Sequence, residues 1–151
     1  MLRPVGPDDV PAIETWWPEA AATVHGVREP VGLDELHRMI DEAGGETLVI
    51  AKAAEPVPIG LLIHRLPDDR WLEFRFLALA KGLRGWGYGS EAVRLIEESG
   101  RARSFGAEVY AGNGLGIYFW LRMGYRPAEP EEVRWRADGA GDIIAMVRGD
   151  R

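Results

Sequence analysis

Leu79-Ala-Lys-Gly-Leu-Arg-Gly-Trp-Gly-Tyr-Gly-Ser-Glu91 joins an apolar run to a helical pattern through four glycines. Upstream, Trp71-Leu-Glu-Phe-Arg-Phe-Leu-Ala-Leu79 is rich in aromatic and aliphatic residues and has the character of a largely buried strand. Downstream, Ala92, Val93, Ile96 and Gly100 recur at helical spacing, and Arg94/Glu98 and Glu97/Arg101 stand one turn apart as opposite charges. The order is strand, glycine-rich turn, helix. Gly82, Gly85, Gly87 and Gly89 permit positive φ and close approach of a ligand, because no Cβ intervenes. A helix N terminus after such a turn presents unpaired N–H groups and a partial positive charge, and Arg84 adds a full one. The physical expectation is a phosphate or pyrophosphate site.

Several folds use this device. No G-x-x-x-x-G-K-[ST] occurs, which excludes the P-loop. Gly87-Tyr-Gly89-Ser-Glu-Ala92 satisfies the dinucleotide pattern G-x-G-x-x-G/A after a strand. The acidic residue that should end the next strand and hold a ribose is misplaced, however: Glu108 lies at that strand's start and Ala111-Gly112-Asn113 at its end.

Arg84-Gly-Trp-Gly87-Tyr-Gly89 instead resembles the R-x-x-G-x-G/A pyrophosphate loop of the GNAT family of acyl-CoA N-acyltransferases. Three further features agree with that resemblance. Leu2-Arg3-Pro4 followed by Asp8-Asp9 is similar to the family's first strand and helix start; Asn113 ends the strand after the motif helix, with Gly116 three on; and Met123-Gly124-Tyr125 resembles its closing L-G-F/Y. The resemblance runs over nearly the whole chain and implies an α/β fold, a single twisted mixed β-sheet with helices on both faces.

Length and composition set limits. At 151 residues the expectation is one domain over 1–151, with 46% apolar residues and six tryptophans to fill its core. There is no cysteine, which rules out disulfides, thiolate metal sites and a cysteine nucleophile. Arg3, Asp8, Asp9, Glu14 and Glu19 leave no apolar core for a signal peptide, and no apolar run approaches a membrane span, so a soluble cytoplasmic protein is expected. A net charge of −6 disfavours a nucleic-acid surface and is compatible with an amine-bearing acceptor, or simply aids solubility. No metal site is expected.

In chain order, residues 2–5 read as a first strand, and Asp8 and Asp9 as the cap and first turn of a helix reaching Trp17, which Pro18 stops. Residues 20–30 show little periodicity. A second helix spans about 33–43, with Leu33, Leu36, Met39 and Ile40 on one face. Residues 47–53 and 59–66 read as strands that form an antiparallel meander with the motif strand. After the motif helix, stopped by Gly106, residues 107–111 form a strand parallel to the motif strand, and 115–123 a short helix. Another strand begins at residues 125–127, before the acidic loop 129–132. Residues 133–137 and 143–147 read as a hairpin around 138–141.

The resemblance implies acetyl transfer from acetyl-CoA to a primary amine of a small molecule or protein, by direct attack in a ternary complex. It implies a gap between the motif strand and the next that takes the pantetheine arm. The backbone of Leu77, Ala78 and Leu79 would bond that arm, the Leu79 N–H polarising the thioester carbonyl, and the N–H groups from Gly85 through Trp86, Gly87, Tyr88 and Gly89 to Ser90 would hold the pyrophosphate, with Arg84. Trp86 and Tyr88 either cover that group or pack. An alkylamine is mostly protonated at neutral pH, so a general base is useful. Glu73, six residues before Leu79 and on the same strand face, is the candidate base; a structural pair with Arg75 or another arginine is the alternative. His64, a partly exposed strand residue by its position, is a second candidate. Asn113 either contacts the coenzyme or bridges the split strands, or makes an ordinary Asn-Gly turn.

The chain departs from the family at Trp120, which stands where the usual general-acid tyrosine is expected; an indole N–H does not ionise in the working range. Tyr118 lies two residues away and on the opposite side of a helix. Trp120 would then wall the coenzyme sulfur. A non-catalytic acyl-CoA-binding or regulatory domain of the same fold, and a nucleotide-binding domain of another class, are the alternatives to an enzyme. The apolar strands near the C terminus offer a route to a homodimer by analogy of fold.

Overall fold

The apolar runs form the strands of one seven-stranded mixed sheet in this computed structural model. The structure describes residues 1–18, 33–42, 46–52, 54–67, 69–80, 82–83, 85, 87–129 and 143–149. The strands are β1 (Leu2–Pro4), β2 (Glu46–Ala51), β3 (Pro58–Arg65), β4 (Trp71–Leu79), β5 (Ser104–Tyr110), β6 (Arg126–Pro127) and β7 (Ile143–Arg148), in the order β1-β2-β3-β4-β5-β7-β6. The helices are α1 (Asp9–Glu14), α2 (Leu33–Glu42), α3 (Tyr88–Glu97) and α4 (Gly114–Arg122). β2, β3 and β4 make the expected meander, and α3 crosses over to bring β5 in parallel beside β4. Among the described residues no helix is long and apolar enough to cross a membrane.

Successive strand residues point to opposite faces, so the sheet carries two cores. On one face Ile13 and Trp17 near α1 and Leu36 of α2 pack with Val49, Leu61, Ile63, Phe76 and Ala78. On the other, Ala92, Val93 and Ile96 of α3 and Trp120 of α4 pack with Leu62, Leu72, Phe74 and Phe105. Each large aliphatic so buried contributes about 1.5–3 kcal/mol. A one-residue slip would turn both sets out at once, which pins the register.

The alternation breaks once in β4. Ile63 pairs with Phe76 but His64 pairs with Phe74, so the exposed Arg75 is an extra residue, a β-bulge. Leu72 and Phe74 therefore share a face with Leu77 and Leu79, and Phe76 and Ala78 take the other. Glu73 does not share the face of Leu79, as an unbroken strand would require; the bulge reverses parity and places it on the α1 and α2 side.

Other boundaries differ for local reasons. α1 ends at Glu14, and Pro18 is itself helical, which its fixed φ allows at a helix start. Gly106 lies inside β5 and is not the stop of α3; that helix ends at Glu97 and the chain reverses at Gly100, at φ 76°. Residues 20–30, 130–132, 133–137 and 138–141 lie outside the described residues.

Asp8 occupies the cap position of α1 but makes no side-chain cap bond. Asp9 does the bonding: it accepts from the Gly6 N–H (2.7 Å) and from both ends of the Arg3 guanidinium (2.6 and 2.7 Å), tying β1 to α1. The Arg3 hydrogen bonds, then the Gly6 N–H, hold its carboxyl below the ordinary carboxylate range against the opposing effect of burial. A group so lowered stabilises the fold above its unfolded pKa, and that stability is lost as pH falls through its folded pKa. Asp9→Asn is therefore expected to be less stable than the native chain at pH 7, the difference in urea midpoint closing below about pH 4.

Candidate active site

The sheet opens at its centre. β4 and β5 are paired from Trp71 with Ser104 to Phe74 with Ala107, and the pairing stops there. Beyond that point β4 stays on β3 through Leu79, and β5 stays on β7 through Tyr110, so the two inner edges part while both outer edges are held. The Ala80 N–H donates to the Ile59 carbonyl (2.8 Å). Alternation then aims the backbone of Ala78 at β3 and the N–H and C=O groups of Leu77 and Leu79 into the gap. Of the three residues expected to line it, Leu77 and Leu79 offer it their backbone and Ala78 does not. Gly60 makes the close β3 contact possible, because a Cβ there would stand 2.7 Å from Leu79 Cδ2 and 2.8 Å from the Ala78 carbonyl oxygen.

The glycine loop meets this opening. Gly85 and Gly87 lie at φ 83° and 84°, conformations that side chains other than glycine rarely adopt. Gly87 is the N-cap of α3 and supplies no side-chain cap bond, so the N–H groups of Tyr88, Gly89 and Ser90 have no partner within the helix. Gly89 packs the helix start onto the gap: a Cβ there would meet Phe119, Leu79 and Leu77 at 3.5–3.7 Å. The partial positive end of α3 thus stands beside the backbone donors of Leu77 and Leu79, as an anion followed by an extended amide-bearing arm requires. Arg84 and Trp86 lie outside the described residues.

Glu73 is fully buried. Its Oε2 accepts from Arg65 Nε, so it does form a structural ion pair, with Arg65 of β3 as the partner. The Glu108 carboxyl of β5 faces it as well. Burial first, then Glu108, push the Glu73 carboxyl up to about 7, and Arg65 pulls only partly the other way. A carboxyl that changes charge near neutral pH can both take and return a proton there.

The remaining candidates separate. His64 is fully buried, not partly exposed, and pairs with Phe74 on the face opposite Glu73. Asn113 is the N-cap of α4, its Oδ1 accepting the Gly116 N–H at 2.9 Å. Replacing Asn113 by Ala is expected to cost about 1 kcal/mol. That corresponds to roughly 2–4 °C in the thermal midpoint, and Asn113→Ser should recover most of it. Trp120 is a core residue, its ring 4.8–5.4 Å from those of Phe74, Phe119 and Tyr125. Tyr118 is exposed on the other side, under the Arg122 guanidinium. The sequence alone does not identify Arg65 and Glu108 as neighbours of Glu73. The signal available is only that Glu108 stands in a strand otherwise apolar at Val109 and Phe105. No group of three or more His, Asp or Glu among the described residues is placed to hold a metal ion.

None of the curated proteins matches this chain in sequence. Among solved structures it is similar to an acetyltransferase from Thermus thermophilus, with a TM-score of 0.75 and 21% identity over 99% of this chain and 96% of that one. It is similar to a ribosomal-protein-alanine N-acetyltransferase from Brucella melitensis, with a TM-score of 0.64 and 20% identity over 99% of each chain. A spermidine N-acetyltransferase from Vibrio cholerae, solved with CoA and spermine, gives a TM-score of 0.70 and 16% identity over 99% of this chain and 95% of that one. At these identities the likeness is one of fold. The profile of the acetyltransferase (GNAT) family matches residues 11–125, which includes the glycine loop, the gap and Glu73. The split sheet with a glycine-capped helix at its opening is thus that of a GNAT acetyltransferase, and the chain belongs to that family.

Proposed function

We propose that the protein transfers an acetyl group from acetyl-CoA to a primary amine, of a small molecule or a protein, by direct attack while both substrates are bound. The observation that carries this reading is the parting of β4 and β5 after Phe74 and Ala107 beside the uncapped start of α3. In it, the N–H groups from Gly85 to Ser90, with Arg84, hold the pyrophosphate, and the backbone of Leu77 and Leu79 fixes the pantetheine arm as an added strand edge. The Leu79 N–H polarises the thioester carbonyl where negative charge develops. Glu73 takes the proton that the acceptor ammonium must lose before it can attack. Trp120 packs in the core and provides no acid, so solvent protonates the departing thiolate, a good leaving group. The CoA and spermine held by the Vibrio cholerae structure are compatible with both halves of this reading.

Release of CoA thiol from acetyl-CoA, followed with a panel of polyamines, small primary amines and peptides with free N termini, tests it. Thiol release that depends on an amine is expected. Binding of acetyl-CoA without release for any amine would favour instead an acyl-CoA-binding role, the reading that Trp120 at the acid position supports.

A further inference from the structure

We propose that Glu108 is the group through which Glu73 exchanges its proton, the two carboxyls forming one base whose less buried member, Glu108, receives the acceptor's ammonium. This deepens the acetyltransferase reading and rests on it.

Glu73 is 0% exposed, so no acceptor touches it in this arrangement, and its proton has to pass through a neighbour. Among the described residues, the charged groups that face it are Arg65 from β3 and Glu108 from β5. A guanidinium stays protonated throughout the working range and cannot carry the proton. Glu108 can. It is only half-buried, and it follows Ala107, the last β5 residue paired with β4, so it stands where the two strands begin to part. Gly106, the partner of Glu73 across β4 and β5, lies two residues before Glu108 and therefore on the same face of the sheet. Gly106 itself places no side chain between the carboxyls. His64, the other titratable residue nearby in β3, faces the opposite core with Phe74.

Each part then has a task. Arg65 fixes one oxygen of Glu73, and the other, Oε1, is buried without a hydrogen-bond partner, which leaves it for the proton exchanged with Glu108. The Glu108 carboxyl is, after burial, a cause that raises the Glu73 carboxyl, so Glu73 holds its proton more tightly with Glu108 beside it. With both deprotonated, the pair attracts an ammonium at Glu108 and takes one proton from it, leaving the neutral amine to attack the thioester carbon. The C–N bond forms and the C–S bond breaks. The nitrogen's surplus proton leaves through the same pair, and solvent protonates the thiolate. One ammonium and one thioester give one amide, one thiol and one proton released to water.

The test is the pH dependence of kcat for acetyl-CoA with the best amine of the panel, for the native chain and for Glu108→Gln and Glu108→Asp. The native profile is expected to rise with an inflection near 7. In Glu108→Gln, kcat should fall by about 10–100-fold, and the inflection should move to lower pH because the repelling charge is gone. Glu108→Asp should keep the native inflection and most of the rate. The thermal midpoint of Glu108→Gln should be no lower than the native one, which separates this loss from misfolding. A Gln variant with native kcat and an unmoved inflection overturns the relay alone, and so does a rate loss with no shift of inflection. A native chain that releases no thiol with any amine overturns the acetyltransferase reading and the relay with it.

Discussion

Glu73→Gln is expected to lower kcat for acetyl transfer by about 10²–10⁴-fold, the usual contribution of a general base. The acetyl-CoA dissociation constant should change less than about twofold, because Glu73 lies on the face of the sheet opposite α3 and the glycine loop. The same substitution has a stability signature of opposite sense to that of Asp9. The Glu73 carboxyl is raised from 4.5 to about 7, chiefly by burial, so the unfolded chain gives up this proton before the folded one does. The stability associated with it is complete at low pH and is lost as pH rises through that interval. Urea midpoints of Glu73→Gln should therefore improve relative to the native chain as pH rises between 4.5 and about 7, and the difference should then stay constant. Asp9 is present in both proteins, so its contribution cancels in the difference. A Gln variant with native kcat would remove Glu73 from the chemistry and leave it the structural partner of Arg65.

Trp120→Ala should give the largest loss of stability, about 3–5 kcal/mol, the range for emptying a buried aromatic site. The thermal midpoint would then fall by roughly 10 °C or more. The reason lies in the packing of its indole against Phe74, Phe119 and Tyr125, at the level where β4 and β5 begin to part. Phe74 holds the last paired position of β4, so a collapse there also disturbs the mouth of the gap. Trp120→Phe keeps a ring in the cluster and should lose less than half as much. Trp120→Tyr is expected to raise kcat by no more than about twofold, because its hydroxyl would enter a core of rings rather than meet the coenzyme sulfur.

The features legible in the sequence are those that a local rule enforces. Gly82, Gly85 and Gly87 all take φ between 80° and 84°, which is why four glycines between an apolar run and a helical pattern identify the loop. The apolar character of Trp71 to Leu79 is enough for β4, and the family motifs carry the sheet and its split. What escapes is set by a single residue or by tertiary pairing. The bulge at Arg75 leaves no mark in composition, yet it decides which face Glu73 takes. Glu108 reads alone as one acidic residue in a strand; its place beside Glu73 follows only from the parallel register of β4 and β5. Asn113 reads as a coenzyme contact, a bridge between the split strands or a turn; its cap bond to the Gly116 N–H is a role none of these names, and a Cβ on Gly116 would lie 2.5 Å from the Asn113 amide nitrogen.

Thermal unfolding with acetyl-CoA, CoA, NAD and ATP, each in excess, tests most directly the claim that the opening between β4 and β5 is an acyl-CoA site. A ligand at about 100 times its dissociation constant adds roughly 2.7 kcal/mol, on the order of 5–10 °C for a chain of this size. The account predicts such a rise with acetyl-CoA and CoA and none with NAD; a rise with NAD alone, or with none of the four, would contradict it.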